Sequence, residues 1–552
     1  MKKYTALFLA LTIVLSLFAG CDAVPQETTN ATTQPTQGTT TSAQDGTTAA
    51  TEPIVEEIPY PEKVSVWTNL GSQQQAFGYT SNDEANFSKH WEELTGTDIE
   101  WIDISGGTKA EKFSLMIAGG APYPDAIVYG WEGIEGGPEL YYEDGIIVDL
   151  TDLIPECMPN FNAYLEAHPN IRARITNNEG QILYIPTIRD DPESLFYQGW
   201  SIRTDWLKKL NLEVPKTTED LYNVLKAFKT QDPNGNGEAD EIPMTGAMFA
   251  SNGYGIGNLA WAFDTHWDLY VEDGKVVYGP AEAKFTEALT YIAKLYTEGL
   301  IDVDYLLNNR KAMEALVLTD RCGFHFSYHN ANYGNNAEFN DGTRRMTGIP
   351  FLTTPGNDTL MSYNPTNEDP TAPGTCIAFT TSCEDIKSVL KWFDCTYDPD
   401  FNTISIFGIE GEHFDYVDGV PVARERASDE ELKSFKANST LSGSPIVTVI
   451  QWEAESSALH EWALEDCLVW TNSADLSGIL PSAVRLTAEE KEDIADALTQ
   501  VRSYADTQMN KIVIGELSMD EWDETVAKFY DMGLDDILEV YNAAYQRYLA
   551  AQ

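Results

Sequence analysis

From Val64 the chain alternates apolar and polar positions through VSVWTNL to Leu70, a period of two that predicts a half-buried strand. The period then changes. Between Asp83 and Thr95, Phe87, Trp91 and Leu94 recur at helical spacing and predict one apolar helix face. DIEWIDI returns to a strand, TKAEKFSLMIAGGAP reads as a helix stopped by Gly119 and Gly120, and DAIVYGW is a third strand. Strand, helix, strand, helix, strand predicts an α/β class with a parallel sheet and helical crossovers. IIVDL and QILYIP add two strand candidates before Asp190.

The middle of the chain is richer in helix. SIRTDWLKKLNL leads to KTTEDLYNVLKAFKTQ, where Thr218 is the expected N-cap and Leu221, Val224, Leu225 and Phe228 form the apolar stripe. KFTEALTYIAKLYTEGLI is a second amphipathic helix, CGFHFSY a strand, and TCIAFTT with CEDIKSVLKWFDCTY a further strand and helix. Two long helices, Thr487 to Met509 and Ser518 to Leu549, make a helical C-terminal region. No internal repeat of solenoid length stands out.

The N-terminus has a different pattern. Lys2 and Lys3 precede an apolar run from Tyr4 to Phe18, and Ala19-Gly20 precede Cys21, the layout of an export signal. LSLFAGC resembles a bacterial lipobox, which implies that Cys21 is lipidated. The alternative is an ordinary signal peptide with an incidental cysteine. Residues 22–58, rich in Thr, Gln, Ala and Pro, have almost nothing to bury and read as a disordered tether. Random-coil scaling gives such a tether a reach of tens of ångströms. Residues 1–21 as lipoprotein signal and 22–58 as tether predict a body on the extracellular side of the cell membrane, held there by a lipid anchor only.

Charge narrows the partners. With 87 acids against 35 bases the net charge is -52, which repels phosphate backbones and excludes nucleic acid. Such a surface favours neutral or cationic ligands, although one Arg or Lys in a cleft overrides this locally. The six cysteines after Cys21 match no zinc spacing and read as free, buried small side chains; a bridge among Cys376, Cys383 and Cys395 stays open.

QDPNGNGEADEIP holds the most specific motif. From Asp232 it runs D-x-N-x-N-G-x-x-D-E, with oxygen donors at positions one, three, five and nine and glycine at six, the spacing of a calcium loop. Asp232, Asn234, Asn236 and Asp240 are the side-chain ligands expected, Glu238 supplies its carbonyl, and Glu241 replaces the glutamate missing at position twelve, which is Pro243. Calcium there is structural. The alternative is an Asx-turn loop satisfied by its own amides.

Catalytic signatures such as G-x-S-x-G, H-E-x-x-H and a P-loop are absent from the sequence. Only His325 and His329 are close in sequence, on one strand face, and a pair is weak as a metal site. Aromatic residues are more informative. Trp67 with Asn69, Tyr129 with Trp131 and Glu132, and Ser327 with Tyr328 and His329 fall where expected strands run out into loops, and in α/β sheets strand carboxyl ends open into the ligand crevice. Flat rings beside amide and carboxylate acceptors suit the C–H faces and hydroxyls of a sugar. The individual aromatic remains a core candidate as well.

Together, EKFSLMIAGGAPYPDAIVYG, DGIIVDLTDLIP, SIRTDWLKKLNLEVPKTTEDLYNVLKAFKTQDPNGNGEADEIP, VEDGKVVYG, FGIEGEHFDYVDG and GELSMDEWDETVAKFYDMGLDDILEVYNAAYQRY resemble the extracellular solute-binding proteins of ABC transporters. The likeness is to the large lipoprotein type that serves carbohydrate uptake in Gram-positive bacteria, similar in fold to maltose-binding protein. It implies two α/β lobes, a periplasmic-binding-protein-like fold, joined by hinge-crossing strands. Lobe 1 is expected at 59–185 with 345–405, and lobe 2 at 186–344 with 406–552, including the loop 232–243. It implies an oligosaccharide ligand in the cleft, ABC permease subunits as partners, a monomer, and no catalysis. Cleft contacts implied are Trp67, Asn69, Tyr129, Trp131 and Glu132 in the first lobe, with Tyr328, His329 and Trp452 in the second matching more loosely. The competing readings are a surface polysaccharide-degrading enzyme and a binding protein for a peptide or another small solute.

Overall fold

The computed structural model describes residues 58–551 except 105–107, 132–133, 135, 190–197, 252, 329–336, 341–344, 358–370, 425–427, 440–446, 451–460 and 482. The expected signal, Cys21, the tether up to residue 57, Glu132, His329 and Trp452 lie outside the described residues. Strand β1 (Lys63–Asn69) forms where the alternation begins and pairs in parallel with β2 (Asp98–Ile104) and β3 (Ala126–Tyr129). Val64 and Val66 turn to one face, against Phe87 and Trp91, while Trp67 turns to the other, against Phe113. Both faces are therefore covered, as helical crossovers require.

Along the chain follow β4 (Ile185–Arg189), β5 (Gln198–Arg203), β6 (Ile242–Met244), the hairpin β7 (Leu269–Glu272) with β8 (Lys275–Tyr278), β9 (Cys322–Tyr328), β10 (Met346–Gly348), β11 (Thr371–Phe379), the hairpin β12 (Phe414–Val417) with β13 (Val420–Ala423), and β14 (Val449–Ile450). Among the described residues they assemble into one sheet of order β14-β4-β11-β3-β1-β2, a second of order β10-β5-β9-β6, and the two hairpins. Each larger sheet has its own core, the second built with the helices of the C-terminal region.

Several expectations shift. The first sheet is mixed, because β11 runs antiparallel to both β3 and β4. IIVDL contributes only an isolated bridge between Ile147 and Thr380. In the helix Asn86–Thr95, Phe87 and Trp91 are buried but Leu94 is 49% exposed. The stack of Trp91 on Trp392, at 3.9 Å, sets the buried face instead. Thr217, not Thr218, caps the helix Thr218–Thr230: its hydroxyl accepts from the Asp220 amide, and the Asp220 carboxylate accepts from the Thr217 amide. The expected last helix is two, Trp522–Asp531 and Leu534–Ala551, parted at Gly533, whose φ of 100° breaks the α geometry.

The division of the chain also differs from the expected ranges. Met346–Gly348 pairs with β5 in the second sheet, and Val449–Ile450 pairs with β4 in the first. Register explains both, since a strand belongs to the sheet that satisfies its backbone groups. The chain therefore passes between the sheets after β4, after β10 and after β14. No helix among the described residues is long and apolar enough to cross a membrane. All six cysteines described are free.

Candidate functional site

Strand direction shows which edges of the two sheets the chain joins. β2 and β3 run with β1; β11 opposes both β3 and β4, so β4 runs with β3; β14 runs with β4. Asn69, Tyr129, Arg189 and Ile450 thus end at one edge of the first sheet, the edge from which the chain leaves for the second. In the second sheet Gln198 faces Tyr328 and Ser201 faces Gly348, so Gln198, Tyr328 and the end of β10 share the edge joined to those crossings. Asn69 and Tyr129 thus end the first sheet, and Tyr328 the second, at the edges that the crossings join.

Behind the first edge lies an aromatic cluster. Phe113 stacks on Tyr129 with ring centroids 4.3 Å apart, and Trp67 meets Phe113 edge-on and Tyr129 at a tilt. Trp131 is 0% exposed, its indole nitrogen donating to the Ile127 carbonyl at 3.1 Å and its ring set edge-on to Phe113 and Tyr141. Trp67 is buried as well, so both tryptophans form the wall behind the edge, and Asn69 and Tyr129 are the half-buried members. The Lys109 ammonium sits 5.4 Å over the Tyr129 ring. Phe113 and Lys109 thus both pack on the Tyr129 ring. Burial lowers the Lys109 pKa to about 8.

The second edge is built alike. Tyr328 packs against Tyr254 at 5.6 Å, and the Arg310 guanidinium lies 5.0 Å over the Tyr328 ring while its Nε donates to Glu314 at 2.8 Å. Burial raises the Tyr254 hydroxyl. Lys109, Tyr254 and Arg310 are absent from the sequence-derived set. The legible signal is that Lys109 opens the helix that follows β2, and Arg310 the helix that precedes β9. His325 is deeply buried, and desolvation lowers its pKa to about 4.

At the other end of the second sheet lies the loop 231–243. Asp232 accepts from the amides of Gly235 and Gly237, Asn234 from Asn236, and Asn236 from Glu238. Both asparagine amides donate to Asp240 Oδ1, at 3.1 and 3.0 Å. These Asx turns satisfy most of the loop, as its second reading anticipates. Glu241 is satisfied only in part. Its buried Oε1 has no hydrogen-bond partner, and burial first, then the Asp232 and Asp240 charges, raise its pKa. A cation would pair that oxygen, so the donor chemistry fits calcium. Among the described residues no three His, Cys, Asp or Glu side chains converge as a metal group. The loop is tied to the start of β9, where Asp320 and Arg321 bond Asn234 and Asp240. The seven residues of β9 put it about 20 Å from Tyr328.

A cavity of about 480 Å³ also spans the two cores, lined by Glu139, Arg174, Asn177 and Tyr184 from the first side and by Arg485, Lys491 and Tyr541 from the second. There Arg485 donates to the Arg174 carbonyl. None of the described sequence-derived residues lines this cavity.

Comparison with known proteins adds three findings. Residues 78–394 match the description "Bacterial extracellular solute-binding protein". The fructooligosaccharide ABC transporter substrate-binding protein FusA of Streptococcus pneumoniae is 27% identical over 492 residues, covering 83% of this chain and 86% of its own. Its structure with kestose superposes with a TM-score of 0.72 at 25% identity, covering 89% of this chain and all of that one. A FusA EF-hand mutant with fructo-nystose gives 0.71, also at 25% identity, over 89% and 100% of the two chains. The polygalacturonan/rhamnogalacturonan-binding protein YtcQ of Bacillus subtilis is 21% identical, over 83% of this chain and 88% of its own. The two-lobed fold is thus that of solved solute-binding proteins.

Proposed function

As the chain belongs to the bacterial extracellular solute-binding protein family, we propose that it captures an oligosaccharide between its lobes and delivers it to the permease subunits of an ABC transporter. The observation that carries this is the pair of strand edges joined by the chain's crossings, Asn69 and Tyr129 ending one and Tyr328 the other, with a cation over each tyrosine ring. Hydroxyls, an amide and cationic donors against an aromatic wall suit the many hydroxyls of a sugar chain. The names of FusA and YtcQ support a saccharide ligand, and leave its charge open because one names a fructooligosaccharide and the other a polygalacturonan.

Binding needs no bond to break. A ligand touching both edges favours the closed arrangement by its differential contacts alone, and the crossings between the sheets are the hinge. Lipidation of Cys21 would hold the protein at the cell surface, with 22–58 as the tether. One calcium ion would sit in the loop, held by Asp232, Asn234, Asn236, Asp240 and Glu241 with the Glu238 carbonyl. The EF-hand named in the FusA mutant supports this.

The test is titration of the purified protein with oligosaccharides, followed by intrinsic tryptophan fluorescence and chromatography of the recovered sugar. A saturable change with intact sugar is expected, weakened about tenfold or more in Tyr129→Ala. Shortened sugar in the eluate would point to an enzyme and overturn the reading.

A further inference from the structure

Lys109 differs from this protein's salt-bridged cations. Arg203 is held by Asp205 and Asp320, Lys284 by Asp264 and Glu272, Arg502 by Asp268, and Arg310 by Glu314. Such pairing is what desolvation demands of a cation. Lys109 has no carboxylate partner among the described residues, in a chain where acids outnumber bases 87 to 35. The nearest acid in sequence, Glu111, is engaged elsewhere: its carboxylate accepts from the Thr108 amide at 3.0 Å in a capping box. Lys109 is also the first residue of its helix, where the backbone dipole is of like sign. What accompanies it is the Tyr129 ring at the ligand edge, with Phe113 behind.

We propose that Lys109 and the Tyr129 hydroxyl form an anionic subsite at the first sheet's edge, one that takes the carboxylate of an acidic sugar unit, a uronate, within the bound oligosaccharide. This rests on the oligosaccharide reading and names its substrate class. The carboxylate supplies the counter-charge that the lysine lacks and accepts a hydrogen bond from the tyrosine. The pKa lowered by burial marks a cation whose charge is poorly supported in the free protein. The overall charge of -52 does not forbid it: exposed charges beyond a Debye length of about 8 Å are screened at physiological salt, whereas Lys109 would touch the ligand. Arg310 at the second edge is already paired with Glu314, so the acidic unit is assigned to the first lobe.

The experiment uses paired oligosaccharides: uronate-containing chains, oligogalacturonides among them, each matched by its carboxyl-reduced neutral form, titrated into wild type, Lys109→Met and Lys109→Arg. Wild type is expected to prefer the acidic member of a pair by about tenfold or more. Lys109→Met should collapse that ratio and Lys109→Arg keep most of it, with melting curves reporting the fold of each variant. Neutral members bound as well as or better than their acidic partners by wild type overturn the subsite and leave the oligosaccharide reading standing. No binding by any member overturns both. A ratio unchanged in folded Lys109→Met assigns the acid preference to another residue and overturns the role of Lys109.

Discussion

A single tryptophan shows what the residue scale of the sequence conceals. WEG follows the third strand, and an aromatic beside a carboxylate at a strand end reads as a stacking contact. Yet the Trp131 ring is enclosed by Phe113 and Tyr141, and its nitrogen is satisfied by the Ile127 carbonyl. Sequence marks the strand end; which side of it a side chain takes depends on the neighbours that the fold packs around it. Trp131→Ala is therefore expected to lower stability by about 3–5 kcal/mol, the range for deleting a buried aromatic, read as the midpoint shift in urea. Destabilisation under 1 kcal/mol together with a large loss of affinity would return Trp131 to the ligand. Lys109 shows the reverse failure. Nothing in TKAEKF separates Lys109 from Lys112; only the fold sets one of them over Tyr129.

Elements with a local cause were legible and elements with a distant cause were not. The strands Lys63–Asn69 and Cys322–Tyr328, and the helix Thr218–Thr230 with its stripe, lie where the periodicity places them. The antiparallel direction of β11 was hidden because alternation carries no direction, and the chain's return from the second sheet decides it. The loop 231–243 stands between these cases: its spacing is local, but the unpartnered Glu241 oxygen appears only in the fold. If calcium fills the loop, a chelator lowers the melting temperature and added calcium restores it. The pH dependence has a definite sign. Without metal, a Glu241 carboxyl raised by burial destabilises the fold once pH rises above its ordinary value of about 4.3. Calcium pairs the ionised form, so the calcium-dependent gain in melting temperature is full at neutral pH and shrinks as pH falls through the raised Glu241 pKa. Glu241→Gln should remove most of that pH dependence. A gain that is flat across this window means that Glu241 is not a ligand.

For the whole molecule, the two-lobed organisation came from the family likeness, and the boundaries came from pairing. The expected ranges put 345–405 in the first lobe and 406–552 in the second; β11 pairs in the first sheet as expected, but the second sheet claims Met346–Gly348 and the first claims β14, because each crossing is placed by backbone bonding and not by composition. A chain that crosses between its sheets at more than one place cannot separate its lobes without bending every crossing together, which favours one hinge coordinate over independent drift. A ligand touching Tyr129 and Tyr328 acts on that coordinate directly. Saturating oligosaccharide should therefore contract the radius of gyration in solution scattering, and at one hundred times Kd it should stabilise the fold by about 2.7 kcal/mol. Tyr328→Ala should weaken the contraction as well as the affinity, since it removes the second lobe's share of the grip. Full affinity with no contraction means that one lobe holds the ligand alone, and that closure is no part of capture.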